Sequence, residues 1–333
     1  MDADRLRLSQ QITGYWISQM LHVAARLQLA DHLHAGPRSI ESLATATGTH
    51  ARSLGRLLRG LASLGHFEET SPGTYALTAT AQYLREDHPQ TVRPMALMLG
   101  GVQYQAWGEL LHSVTTGETG FQHRYGQPLF DYLGEHPQEA AEFDRAMVAI
   151  HGGETAAILD AYDLSRFHSV IDVGGGNGSQ LIEILRRHPA LTGAVFDLPH
   201  VAQRAKLALD AAGFGDRGSV IGGSFFETVP SGADAYLLRH VIHDWSDEQS
   251  QQILSLVRAA IPAHGKLLVI ETVIPPGNYP SFAKLLDLTM LVIPGGIERT
   301  EAEYRELFAA SGFRLERIVP TAAGVDVIEG VPV

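Results

Sequence analysis

The feature that most constrains this chain is a strand that enters a helix through a glycine-rich turn. Residues 170–178 read Val-Ile-Asp-Val-Gly-Gly-Gly-Asn-Gly, with Gly174, Gly176 and Gly178 spaced G-x-G-x-G. The apolar run is a buried-type strand, and glycines permit both a tight turn and close approach of a ligand to the backbone. From Ser169 onward, strand and helix textures alternate, as expected of a largely parallel sheet. Further strands are expected over 193–197, 219–222, 235–238 and 266–271. Ser246-Asp-Glu-Gln249 and Thr300-Glu-Ala-Glu303 read as capping boxes that open helices. Two closing strand-like runs, 314–319 and 324–330, are joined too briefly to be parallel, so the last strand is expected to be antiparallel. The fold class is therefore α/β.

The N-terminal third has a different texture. Ile12, Tyr15, Trp16, Met20, Val23 and Leu27 recur at helical spacing and give a broad apolar face. A short helix from Ser39 stops at Gly48, a second runs from Ala51 to Leu64, and two strand-like runs flank Ser71-Pro-Gly73. Helix, turn, helix and hairpin in that order make a winged helix. A chain of 333 residues suits about two domains. The expected division is 1–95 as the winged-helix unit, 96–160 as a helical linker and covering region, and 161–333 as the α/β domain.

Composition narrows the function. Net charge is −12, a poor match to nucleic acid. Within 37–88, five arginines (38, 52, 56, 59, 85) face five acids (41, 68, 69, 86, 87), so the winged helix has no net basic footprint for DNA. Cysteine is absent, which excludes disulfides and thiolate chemistry. No long apolar run suggests a membrane span, and the charged N-terminus has no signal-peptide core, so a cytoplasmic location is expected.

Polar candidates collect where an open parallel sheet binds ligands, outside the carboxyl ends of its strands. Gly174 to Gly178 follow the first strand. Asp197, about 20 residues on, follows the second and can bond both hydroxyls of a ribose. Ser224 and Phe225 follow the third, Arg239 and His243 the fourth, and Glu271 ends the fifth. The G-x-G-x-G spacing, without G-x-G-x-x-G, leans toward a nucleoside without a pyrophosphate.

Phe196-Asp-Leu-Pro199, His243-Asp-Trp245 and Gly295-Gly-Ile-Glu-Arg-Thr300, together with the glycine loop, resemble the cation-independent, caffeate-type small-molecule O-methyltransferases. The resemblance covers nearly the whole chain. It implies a Rossmann-like S-adenosylmethionine domain behind a winged-helix dimerisation domain, a homodimer, and a small aromatic acceptor. It also implies His243 as general base flanked by Glu271 and Glu298. The cofactor would be held by Gly174, Gly176, Asp197, Leu198, Ser224, Phe225 and Arg239. Phe143 and Met147 would cover it and line the acceptor pocket, and Asp287 would touch the acceptor. No metal is implied. One position departs from the family: Gly223-Ser-Phe-Phe226 stands where the family has an aspartate, so Ser224 brings no charge. Two other readings are a relative that keeps the cofactor without methylating, and a winged-helix transcription regulator.

Overall fold

The computed structural model describes residues 2–333. Packing divides it into two units, Met1–Gly108 with Phe130–Gly152, and Glu109–Leu129 with Gly153–Val333. The stretch 96–160, expected to be one linking region, is thus shared between them. The physical reason within the first unit is that the helix Pro137–His151 packs along the helix Arg93–Gly100, which also crosses the helix Gly14–Arg26. That last crossing is close: a Cβ at Gly100 would lie 2.4 Å from His22.

The winged helix forms from the signals that announced it. Ser39 caps the helix Ile40–Thr47 by accepting from Ser42 N–H, and Gly48 ends it in the left-handed region at φ 65°. The helix Ala51–Ser63 leads into the hairpin Phe67–Ser71 and Thr74–Leu77. Leu29, Leu43, Leu54, Leu58, Leu61, Phe67 and Tyr75 close the core between them. The first amphipathic stretch is broken at Thr13 into the helices Ala3–Ile12 and Gly14–Arg26. Its apolar face is only partly used: Met20 packs on the core, while Ile12, Tyr15 and Trp16 are 66%, 51% and 57% exposed.

The second unit holds a sheet that, among the described residues, has seven strands: β1 Ser169–Val173, β2 Thr192–Asp197, β3 Gly218–Gly222, β4 Ala235–Arg239, β5 Lys266–Glu271, β6 Phe313–Pro320 and β7 Asp326–Pro332. Their order is β6-β7-β5-β4-β1-β2-β3. All pairings from β3 to β5 are parallel, and β7 is antiparallel to both its neighbours, as expected. Alternation along each strand sorts residues to two faces. Ile171, Val173, Tyr236 and Leu238 enter one core, and Val170, Ala235 and Leu237 the other. Each such large apolar side chain contributes about 1.5–3 kcal/mol by leaving water. Both capping boxes are formed, at Ser246 and Thr300. Among the described residues no helix is long and apolar enough to cross a membrane.

The exposed face at Ile12, Tyr15 and Trp16 generates a prediction. A second copy of the chain should cover it, since a contiguous apolar face of this kind marks an interface. Light scattering on Trp16→Glu should therefore find monomer where the unchanged chain is a dimer. A stable dimer of the Trp16→Glu variant would place the interface elsewhere.

Candidate active site

The glycine loop joins β1 to the helix Ser179–Arg187 by passing three times through the left-handed region, at Gly174, Gly176 and Gly178 (φ 71°, 57° and 78°). At Gly174 the constraint is also steric, because a Cβ would meet the Val241 side chain at 2.7 Å. Gly176 N–H donates to Asp197 Oδ2 at 2.9 Å, and Leu198 N–H to Asp197 Oδ1 at 2.7 Å. Burial pushes the Asp197 carboxyl up, and those two amides oppose it. Each carboxylate oxygen keeps a second lone pair for a ligand hydroxyl. Leu198 stands beside it, 46% exposed, as an apolar platform. A Cβ at Gly176 would face open space, so this side of the loop admits a ligand. Beneath the loop, Asp172 is buried with Oδ2 lacking a partner, and burial raises its carboxyl to about 7.

Three other candidates at this edge are occupied locally. Ser224 Oγ accepts from Phe226 N–H at 3.2 Å, which seats a turn after β3, and Phe225 lies edge-on to Trp245 at 6.1 Å. Arg239, at the end of β4, donates to Glu154 at 2.9 Å, Thr155 at 2.9 Å and Gln180 at 3.1 Å. Glu154 also bonds His240 Nε2 at 2.8 Å, and His240 holds a left-handed backbone at φ 52°. Gln180 reaches Asp172 at 3.3 Å, so the polar chain ends beneath the glycine loop.

His243 sits three residues further, in a single 3₁₀ turn, Ile242–Asp244, and is 7% exposed. Its Nδ1 lies 2.6 Å from Glu298 Oε1. A carboxylate only accepts, so Nδ1 carries the hydrogen and Nε2 is left as the acceptor of the neutral ring. Glu271 acts elsewhere. Its Oε1 takes the backbone N–H of His243 at 3.0 Å, and its Oε2 accepts from Tyr304. The two acids that sequence placed around the ring thus divide the work, one orienting the imidazole and one holding the backbone that carries it.

The loop bearing Glu298 is built to reach this place. Ile297 N–H donates to His243 O at 2.8 Å, and a Cβ at Gly296 would fall 1.8 Å from that oxygen. Only glycine fits there. Arg299–Thr300 then pairs parallel with Val273–Ile274, just past Glu271, which brings the two acids to the same turn. Asp287 Oδ1 accepts Glu298 N–H at 3.1 Å, so this residue, expected at the acceptor, is engaged in holding the acid. Tyr304 carries no sequence signal of its role; it lies 33 residues from its partner, beyond the reach of any local pattern. Phe143 and Met147 stand in the first unit, half-buried on the helix Pro137–His151, with Phe143 edge-on to Phe130 at 6.4 Å.

Charge around the histidine favours its cation. Burial lowers the affinity of His243 for a proton, but Asp244, Glu298 and Glu271 together outweigh it and raise the ring to about 10. Asp244 Oδ1 lies 3.7 Å from Nε2.

The O-methyltransferase domain family matches residues 107–314, and the O-methyltransferase dimerisation domain matches residues 9–87. The chain is 48% identical over 326 residues to the phenazine O-methyltransferase PhzM of Lysobacter antibioticus, across 98% of this chain and 96% of that protein. The crystal structure of LaPhzM is similar at a TM-score of 0.95 and 47% identity, covering 100% of both chains. NcsB1, an O-methyltransferase from neocarzinostatin biosynthesis solved with S-adenosylmethionine and 2-hydroxy-5-methyl naphthoic acid, is similar at 0.86 and 36% identity, over 95% of this chain and 96% of that one.

A raised histidine contributes stability that is fully present below its unfolded value near 6.5 and is lost as pH rises through about 10. Denaturant unfolding should show that loss, and Glu298→Gln should flatten it while lowering the His243 titration midpoint seen by NMR. An unmoved midpoint would mean that Glu298 does not hold the proton on the ring.

Proposed function

Because the chain belongs to the S-adenosylmethionine-dependent O-methyltransferases with an N-terminal dimerisation domain, we propose that it methylates a phenolic hydroxyl of a flat polycyclic metabolite of the phenazine kind, with His243 Nε2 as the base. The observation that carries this reading is the 2.6 Å contact between His243 Nδ1 and Glu298, which makes Nε2 the acceptor whenever the ring is neutral. The phenazine O-methyltransferase at 48% identity supports the acceptor class.

S-adenosylmethionine, when bound, supplies a sulfonium methyl already activated for in-line displacement. The residues fit this group. The glycine loop offers backbone at close approach, Asp197 offers carboxylate oxygens for the ribose hydroxyls, and Leu198 offers an apolar face for the base. Gly174, Gly176, Ser224, Phe225 and Arg239 complete the proposed cofactor set, with Arg239 acting through its network to Asp172.

The chain's task is then to position the acceptor and to take its proton. Asp244, Glu298 and Glu271 raise the affinity of the His243 ring for a proton, which favours transfer from a phenol near 10 to Nε2. Glu298 stabilises the imidazolium that forms, as the buried acid does in a triad. Glu271 and Tyr304 keep the backbone of His243 from drifting. Phe143, Met147 and Asp287 are proposed acceptor contacts on resemblance, and two copies of the chain are proposed to form the working enzyme through the 9–87 region.

Three outcomes are expected. His243→Ala should lower turnover by about 10²–10⁴, the usual contribution of a placed acid–base group, with cofactor affinity retained in calorimetry. Turnover within a few-fold of the unchanged enzyme would make the histidine structural. Asp197→Ala should weaken S-adenosylmethionine binding by about 1–3 kcal/mol through lost charge-assisted bonds. Normal affinity would put the ribose elsewhere. Because the neutral ring is scarce at pH 7, kcat/KM should climb as pH rises toward 10 and should survive EDTA; loss on chelation restored by magnesium would assign a different chemistry.

A further inference from the structure

Arg299 is the largest fully buried side chain of the described residues, 1% exposed. Burying a guanidinium costs several kcal/mol unless its donors are met, and here they are met in a pattern. Nε and Nη2 donate to Asp247 Oδ1 at 3.0 and 2.9 Å. Nη2 also donates to Trp245 O at 3.1 Å and to Ser250 Oγ at 3.2 Å. Nη1 donates to Ile242 O at 3.3 Å and to Ile297 O at 3.2 Å. Ile242 and Trp245 bracket His243 from either side.

That turn has little strength of its own. It is one 3₁₀ turn, closed by Asp244 N–H to Val241 O at 3.3 Å and Trp245 N–H to Ile242 O at 3.2 Å. Short 3₁₀ segments have poor hydrogen-bond geometry and need support from outside. One guanidinium supplies it, tying the carbonyls on both sides of His243 to the loop that also brings Glu298. We propose that Arg299 is a positioning residue for the reaction, its fork setting the turn from which His243 meets the acceptor. The proposal rests on the reading of His243 as the base.

Charge alone would not do this. Lysine keeps the charge but has no planar fork to span three carbonyls and a carboxylate. Arg299→Lys should therefore lower kcat by roughly 10- to 100-fold, since a shift of about 1 Å can cost about 100-fold. The acceptor KM and the cofactor affinity should stay near those of the unchanged enzyme. The deciding experiment is a double-mutant cycle at pH 7. Arg299→Lys placed on His243→Ala should change the residual rate by less than about twofold, because residues that act as a unit are not additive. Equal losses in both backgrounds would overturn the proposal, as would a folded Arg299→Lys enzyme with unchanged kcat. His243→Ala alone tests the underlying reading, so the two failures are distinguishable.

A second variant covers the case in which Arg299→Lys does not fold. The Asp247 side chain is 61% exposed and outside the core. Asp247→Asn weakens one charge-assisted arm of the fork and should cost roughly 3- to 10-fold in kcat, and nothing in the His243→Ala background. An unchanged kcat for Asp247→Asn, or the same loss in both backgrounds, would also overturn it.

Discussion

The buried contact between His243 Nδ1 and Glu298 is the interaction on which the rest of the site depends. A carboxylate accepts and cannot donate, so it decides which ring nitrogen carries the hydrogen and which one faces outward as a base. Without it, a buried imidazole could present either nitrogen. The arrangement is costly, because Glu298 and Glu271 are 1% and 0% exposed and His243 is 7% exposed. Donors meet both oxygens of Glu271, and the imidazole meets one oxygen of Glu298. Glu271 has the His243 amide and Tyr304, whereas the Glu298 carboxylate has His243 Nδ1 on Oε1 and, among the described residues, no hydrogen-bond partner on its buried Oε2.

The fold supplies this pair with its address. Parallel strands deliver their carboxyl ends to one edge, so the glycine loop, Asp197, Arg239 and Glu271 converge although they are far apart in sequence. The antiparallel β7 then closes the sheet beside β5, with Asp326 opposite Glu271, and its carboxylate takes Val273 N–H at 3.1 Å. That bond helps fix the chain just after Glu271, where the short pairing with Arg299–Thr300 begins. Chemistry and architecture meet within a few residues.

Much of this was legible because local rules carry it. Strand alternation, capping boxes at Ser246 and Thr300, and glycine stops are short-range signals, and each appears where the pattern puts it. The base and its two acids were named from motif resemblance, yet their division of labour was not. Nothing local says that Glu271 would hold a backbone amide, that Tyr304 would sit on its other oxygen, or that Asp287 would engage the Glu298 amide. These are contacts across 28, 33 and 11 residues, set by how loops pack. The break at Thr13 and the sharing of 96–160 between two units were hidden for the same reason, since helical periodicity does not reveal which neighbour a helix will choose.

The central claim is that His243 removes the acceptor's proton, and a graded series of phenols tests it most directly. Methylation rates would be measured at pH 7 for acceptors of one shape whose hydroxyl pKa runs from about 6 to about 10, around the ordinary phenol value. With His243 in place, the rate should depend weakly on acceptor acidity. In His243→Ala the deficit should be large for the weakest acids and should vanish for acceptors already ionised in solution, because a preformed phenolate needs no base. A deficit of constant size across the series would contradict the account and leave His243 with positioning alone.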